Sequence, residues 1–371
     1  MNNPTSSLKI GIIGAGKVGA TIALLLEECA FCSHVLLGDL REPVLLGSLP
    51  KATFRALDVK DAAALRSFVA ECDAILSASP YYLNQAIAAA CAAKDVAYFD
   101  LTEDVVTTRQ VRELATKSRA TFVPQCGLAP GAINIIGGAL ARQLHDVRTV
   151  EMRVGALPLS AGNQMKYYLS WSTAGLINEY CQPGEALYDG KPMATFPLDG
   201  CERLTIDGIE YEAFNTSGGV ATMCETFAGK VRGLSYKTLR YPGHRDLMKF
   251  LLEDLQLSHR RELLTQIFDQ EVPLTFDDVV IVYVNVIGHD AGRLVQSSYI
   301  NKIYSTEVRG QRLSAIQLST AAGAVAMLEL YSGRQIGPGF VAQESVPFAS
   351  FLSTRWGGRV YAPQNDARKA P

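Results

Sequence analysis

Lys9-Ile-Gly-Ile-Ile-Gly14-Ala-Gly16-Lys17-Val18-Gly19 stands near the start of the chain, and Val35-Leu-Leu-Gly-Asp39 follows it. A short apolar run, a glycine-rich turn and apolar residues at helical spacing (Val18, Ile22, Leu25, Leu26) predict strand, turn and helix. In that setting Gly14-x-Gly16-x-x-Gly19 matches the dinucleotide-binding fingerprint. Gly14 permits the tight turn, Gly16 lets backbone approach a pyrophosphate, and Gly19 lets helix and strand pack closely. The helix start, with Lys17 and Val18, offers N–H donors and the positive end of its dipole to phosphates. Asp39 closes the next strand 20 residues after Gly19, placed to accept from adenosine ribose hydroxyls. A carboxylate there repels a 2′-phosphate, so NAD is expected over NADP. Arg41 could pair with such a phosphate and keeps NADP open. The bland alternative is a glycine-rich turn in an unrelated α/β fold.

Strands and helices continue to alternate outward from this unit. Strands are predicted at 52–57, 74–77, 97–100 and 121–124, with helices at 61–71, 83–93 and 105–117. Right-handed crossovers then give a doubly wound parallel sheet, a Rossmann domain over residues 1–130. Further cofactor contacts are expected at the carboxyl ends of its strands. Asp58 and Val59 face the adenine, Ser77 and Ser79 the nicotinamide side, and Leu101 lies past the following strand. Asp58 reads equally well as a helix-cap carboxylate. The rhythm changes near 147. A strand at 147–154 and a helix at 167–180 containing Trp171 precede short strands and turns over 185–240. Strands at 278–289 and 295–306 then pair as a hairpin. This predicts an α+β substrate domain with a mixed or antiparallel sheet over 131–312. An alanine-rich helix at 313–331 begins a C-terminal part, 313–371, that returns to the first domain. The last forty residues are Gly-rich and end in a charged tail read as loose.

Composition narrows the function. At 371 residues with 48% hydrophobic content, the chain can bury a core without disulfides or metals. A net charge of −2 with no basic block gives no reason to expect nucleic acid or an anionic membrane as partner. Cys29 and Cys32 have C-x-x-C spacing, but no second pair or histidine set completes a metal site, so no metal is expected. Residues Met1 to Leu8 lack a signal-peptide layout, and no stretch of about 18 apolar residues occurs. A cytoplasmic homo-oligomer acting on a small molecule is expected. Strand Val279–Val286 or helix 313–331 could form its subunit seam, although core burial explains both equally well.

Beyond the fingerprint, several segments carry a resemblance. Ser77-Ala-Ser-Pro-Tyr81, Tyr98-Phe-Asp-Leu-Thr-Glu103 and Cys126-Gly-Leu-Ala-Pro-Gly131 resemble the saccharopine dehydrogenase superfamily. Ser170-Trp-Ser172, Gly175-Leu-Ile-Asn-Glu-Tyr180, Thr216-Ser-Gly-Gly219 and Lys237-Thr-Leu-Arg-Tyr-Pro-Gly-His244 resemble its lysine 6-dehydrogenase branch. The resemblance covers roughly residues 9–345 and implies C–N bond chemistry on an amino acid. That branch oxidises the ε-amine of L-lysine with NAD to a semialdehyde that cyclises. Saccharopine-type relatives instead reduce an imine joining lysine or its semialdehyde to a second amino or keto acid.

Amine oxidation by hydride transfer needs a neutral amine, a base to activate water, and an anchor for the amino-acid carboxylate. Arg240 is the anchor candidate because a guanidinium grips a carboxylate with two parallel hydrogen bonds; a structural arginine is the alternative. His244, in a Pro-Gly loop expected to face a cleft, is the leading general base, against a satisfied structural histidine. Lys237 could serve if desolvation lowered its pKa. Glu103 could pair with a substrate ammonium, whereas Asp104 reads as a helix cap. Cys126 is expected to line the site rather than act as nucleophile. Tyr167 and Trp171 could wall the aliphatic chain, with core packing as the alternative. Glu179 reads either as a site acid or as a helix-end charge, with the structural reading preferred; His145 reads as surface and His289 as a turn or interface residue. Two rival readings stay open. One is an imine reductase of saccharopine or carboxynorspermidine type, with Arg153, Arg232 or Arg293 supplying extra anchors. The other is a non-catalytic NAD-binding regulatory protein.

Overall fold

The computed structural model describes residues 7–160 and 162–363. Most of the N-terminal segment ahead of the first strand, and the last eight residues of the tail, lie outside them. The first half builds β1 (Leu8–Ile13), α1 (Lys17–Leu26), β2 (Cys32–Asp39), β3 (Ala52–Ala56), α2 (Ala62–Ala70), β4 (Ala74–Ser77), α3 (Tyr81–Ala92), β5 (Ala97–Asp100), α4 (Val105–Ala115) and β6 (Thr121–Val123). All pairings among its strands are parallel, in the order β3-β2-β1-β4-β5-β6. That order reverses direction between β1 and β4, the position where doubly wound sheets open a ligand crevice. Both faces of β1, β4 and β5 are covered, which explains why these strands read as near-continuous apolar runs.

The second half follows α5 (Ala132–Arg142) with β7 (His145–Pro158), α6 (Thr173–Cys181), β8 (Gly184–Tyr188), β9 (Lys191–Thr195), β10 (Glu202–Ile206), β11 (Ile209–Asn215), α7 (Met223–Phe227), β12 (Gly233–Arg240), α8 (His244–Lys249), α9 (Arg261–Glu271), β13 (Asp278–Asp290) and β14 (Arg293–Tyr304). Its main sheet runs β10-β11-β12-β7-β13-β14 and is mixed: β12 pairs parallel with β7, and the other neighbours are antiparallel. The expected Rossmann sheet with a second, mixed-sheet domain is therefore present.

A small hairpin, β15 (Thr306–Val308) and β16 (Gln311–Leu313), leads into α10 (Ala315–Ser332). This helix is buried on nearly every side and packs between α1 and β13. A helix apolar all round belongs in an interior. Val279–Val286 is equally a core strand, with Val280, Val282, Val284 and Val286 at 0% exposure. Both candidate subunit seams are thus used up in the core.

Two segments depart from expectation. Helix α6 begins only at Thr173, not near 167. Upstream, Leu169 N donates to the Pro273 carbonyl, Thr275 N donates to the Leu169 carbonyl, and the Asn163 side chain brackets the backbone of Tyr167. Backbone groups committed to a distant segment cannot also join a helix ladder. Ser172 then caps α6 by accepting from Gly175 N at 3.2 Å. The Gly-rich C-terminal stretch is packed as far as it is described. β17 (Gly339–Phe340) adds a parallel strand beside β6, and α11 (Phe348–Ser353) and α12 (Arg355–Tyr361) follow. Trp356 is fully buried, its indole donating to the Leu25 carbonyl of α1 at 3.1 Å. No helix among the described residues is long and apolar enough to cross a membrane.

Candidate active site

The glycine turn has the geometry its sequence asks for. Gly14 lies at φ +101°, and a Cβ there would fall 2.7 Å from the Ala78 backbone. A Cβ on Gly19 would overlap the Gly14 carbonyl, whereas one on Gly16 meets nothing within 4 Å. Gly16 and Lys17 are exposed at the open end of α1, leaving its first N–H groups free to receive an anion. Asp39 is held beside them, accepting from Ala15 N at 2.6 Å and from Leu40 N at 2.6 Å. The turn, the exposed helix start and the fixed carboxylate fit a dinucleotide.

The other expected cofactor residues lie at or just past the carboxyl ends of β3, β4 and β5. The Ser77 hydroxyl is buried and donates to Asn84 Oδ1 at 2.7 Å, so it faces α3 rather than the crevice. Ser79 Oγ donates to the Ile13 carbonyl at 3.0 Å, tying the 77–80 loop to the end of β1. Asp58 is exposed and accepts from Lys60 N, capping a turn, while Val59 packs towards α2 and α3. Leu101 packs over Gly127, part-buried.

The second domain meets the carboxyl ends of these strands along a polar seam. Glu103 follows β5, and the Thr216–Gly219 loop lies against it. A Cβ on Gly218 (φ +89°) would come within 2.6 Å of the Glu103 Cβ. Asn134 of α5 fastens this loop by donating to the carbonyls of Gly219 and Val220 at 2.9 and 3.1 Å. Burial pushes the Glu103 carboxyl up to about 7, with Glu179 and Asp104 adding repulsion. Asp104 itself caps α4, accepting from Thr107 N at 2.7 Å. Cys126 is 1% exposed and its thiol donates to the Asp100 carbonyl at 3.0 Å. Burial holds that thiol well above its ordinary range, so it stays a thiol and not a thiolate.

Strand β12 supplies the facing side, and its alternation separates the candidates. Tyr236, Thr238 and Arg240 point one way, Lys237 and Leu239 the other. Lys237 therefore misses the seam. It pairs with Glu202 at 2.8 Å, and Glu202 also takes Arg153 Nε at 2.6 Å. Lys237 is corrected to a member of this network on the opposite face. Arg240 is 2% exposed, yet its Nε has no partner among the described residues; one terminal nitrogen donates to the Leu239 carbonyl at 2.9 Å. Its guanidinium lies 5.3 Å from the Tyr167 ring centre and 5.8 Å from that of Tyr180. The hydroxyl of fully buried Tyr167 likewise has no partner among the described residues. Trp171 stands further out, covering Gly175 of α6.

His244 departs furthest from expectation. It is 0% exposed and opens α8 instead of lining a cleft. Its Nδ1 lies 3.0 Å from the Met165 carbonyl, which can only accept, so Nδ1 carries the hydrogen. Nε2 then accepts from the Tyr180 hydroxyl at 3.1 Å. Burial, followed by the charge of Arg240, lowers its pKa to about 3. Both ring nitrogens are occupied, so His244 holds Tyr180 in place against Arg240 and has no free lone pair for a substrate.

Glu179, for which the sequence favours a helix-end charge over a site acid, turns inward. Its carboxylate accepts from Thr238 Oγ1 at 2.5 Å, and Thr238 meets Thr216 Oγ1 at 2.8 Å. The Tyr236-Thr238-Arg240 alternation was the signal that could have drawn this side together.

Comparisons with known proteins agree with this architecture. Residues 10–123 match the family described as saccharopine dehydrogenase NADP binding domain, and residues 127–349 that described as saccharopine dehydrogenase C-terminal domain. Mitochondrial alpha-aminoadipic semialdehyde synthase of Bos taurus is 28% identical over 133 residues, 34% of this chain and 14% of that protein. The Arabidopsis thaliana alpha-aminoadipic semialdehyde synthase is 26% identical over 157 residues, 37% of this chain and 14% of that one. The chain thus matches about one seventh of the length of these relatives. Saccharopine dehydrogenase (L-Glu forming) from Saccharomyces cerevisiae shares the fold with a TM-score of 0.72 at 16% identity, covering 91% of this chain and 94% of that one. Homospermidine synthase from Legionella pneumophila, solved with NAD, gives 0.71 at 14% identity, covering 100% and 96%. With both domain matches in sequence order and spanning most of its length, the chain belongs to the saccharopine dehydrogenase family.

Proposed function

We propose that this protein is an NAD-dependent amino-acid dehydrogenase that oxidises the side-chain amine of L-lysine, or of a similar diamino acid. One observation carries the proposal. Arg240 is a buried guanidinium whose Nε has no partner among the described residues, two positions along β12 from Thr238, which meets the Thr216–Gly219 loop that lies on Glu103. A buried charge is costly unless matched, and an entering carboxylate supplies the match. Tyr167 and Tyr180 hold the guanidinium plane in place and exclude water around it.

Glu103 takes the role of base. Its carboxyl, raised to about 7, can accept a proton near neutral pH. It lies beyond β5, on the edge where a nicotinamide would sit, with Gly14, Gly16, Lys17, Val18, Gly19 and Asp39 holding the rest of the dinucleotide. A nicotinamide held there would supply the hydride acceptor. The substrate ammonium first yields a proton to Glu103, and the freed lone pair forms the C=N bond as the adjacent C–H leaves as hydride. Water then adds to the iminium, giving semialdehyde and ammonium. Asp39, fixed by two backbone N–H groups, supports NAD as the cofactor.

The arginines that a dicarboxylic adduct would call on are placed elsewhere. Arg153 is paired with Glu151 and Glu202 on the far sheet face, and Arg232 and Arg293 are exposed. Nicotinamide absorbance, followed with NAD and NADP against lysine, ornithine, saccharopine and simple diamines, tests the proposal. Lysine with NAD should give the highest kcat/KM. Turnover of saccharopine but not lysine would overturn it, and cofactor binding without reduction by any amine would favour a regulatory protein.

A further inference from the structure

The reaction just described gives Glu179 no task, yet its placement is costly. Its carboxylate is turned in against hydroxyls alone, Thr238 at 2.5 Å, and it has no ion pair among the described residues. Burial raises its pKa, and Arg240 and the threonine hydroxyls act against that rise. Thr238 and Arg240 are two residues apart on one face of β12, so their side chains rise about 7 Å apart. Tyr180, the next residue of α6, packs its ring on Arg240. The outcome is a part-buried anion beside a buried cation, with the Arg240 Nε and the Tyr167 hydroxyl both lacking partners among the described residues. An α-amino acid head group carries the mirror image of that pair, an ammonium and a carboxylate on one carbon.

We infer that Glu179 and Arg240 together clamp an α-amino acid head group, with Glu179 taking the α-ammonium and so selecting amino acids over amines that lack it. The inference rests on the reading above, in which Arg240 takes the α-carboxylate and Glu103 serves the reacting amine. It adds a specificity residue that reaction chemistry alone does not require. A charge-assisted hydrogen bond supplies roughly a 10- to 150-fold preference.

The test pairs L-lysine with ε-aminocaproate, which keeps the carboxylate, the chain and the reacting amine but has no α-ammonium. Initial rates are measured with NAD, and equilibrium binding of each ligand to the NAD-loaded protein by calorimetry. Wild type should prefer lysine by at least tenfold. Glu179→Gln should bring the two ligands within about threefold of each other, through the KM or Kd of lysine, with ε-aminocaproate unchanged. Thr238→Val, which frees the carboxylate without removing it, should narrow the preference in the same direction. A wild type that treats the two alike overturns the clamp whatever the variants do. So does a folded Glu179→Gln protein that keeps its preference or weakens both ligands equally. If neither ligand is oxidised but lysine still binds preferentially through Glu179, the dehydrogenase reading fails and the clamp stands.

Discussion

Replacing Glu103 by Gln offers a test that needs neither substrate nor cofactor. The wild-type carboxyl is raised from an ordinary value of 4.5 to about 7, chiefly by burial beneath the Thr216–Gly219 loop. Each pH unit of difference corresponds to about 1.4 kcal/mol, so ionising Glu103 in the folded protein costs about 3 kcal/mol. The sign follows from linkage. A folded pKa above the unfolded one means the native state holds the proton more tightly. The associated stability is complete below pH 4.5 and lost as pH rises through about 7. Gln keeps the size and cannot ionise. Glu103→Gln should therefore match wild type near pH 4.5 and exceed it by about 3 kcal/mol at pH 8. Urea titrations at several pH values, followed by fluorescence, give the difference directly. Trp171 reports the second domain and Trp356 the segment packed on α1, so coincident transitions also check two-state behaviour. A difference that is flat with pH, or that grows on acidification, would refute the buried-carboxyl account and with it the choice of base.

Other expectations concern activity. The rate with lysine should rise as Glu103 loses its proton near pH 7, and Glu103→Gln should abolish that limb along with most of kcat. Arg240→Lys keeps the charge but loses the two-pronged grip, so KM for lysine should rise about tenfold while cadaverine, which has no carboxylate, is barely affected. An equal effect on both would remove Arg240 as the anchor. His244→Ala frees Tyr180 to leave Arg240, and should raise KM several-fold with the pH profile unchanged; loss of the pH limb would restore His244 as base. Asp39→Asn removes the charge opposed to a 2′-phosphate and should shift the NADP-to-NAD ratio of kcat/KM at least tenfold towards NADP. An unchanged ratio would show that another group reads the ribose.

The seam also depends on how the domains are tied together. Arg112 of α4 pairs with Glu225 of α7 at 2.5 Å, and Arg109 approaches Glu185 of β8 at 3.9 Å, both across the domain boundary. Glu344, fully buried, accepts from Thr222 and Thr226, while neighbouring Gln343 donates to the Pro124 carbonyl. The C-terminal segment thereby touches both walls, and Glu103 and the Thr216 loop are held in contact from behind. Exposed ion pairs contribute little alone, so the buried Glu344 contacts carry most of this fastening.

What the sequence determined by itself is the nucleotide half. A strand with apolar faces, glycines at fixed offsets and a carboxylate one strand later are local features, each constrained within a few residues. The helix start and the Asp39 position follow from them. What lay beyond the sequence was the direction in which β12 faces. Lys237, Thr238 and Arg240 look alike as neighbouring polar residues, and only pairing with β7 and β11 decides which reach the seam and which join Glu202. The same holds for His244. A Pro-Gly loop suggests exposure, but Met165, Tyr167, Tyr180 and Phe214 close over it from segments far apart in the chain. Periodicity fixes which residues share a face, and long-range packing fixes what that face meets, because burial is a property of the assembled layers and not of any one strand.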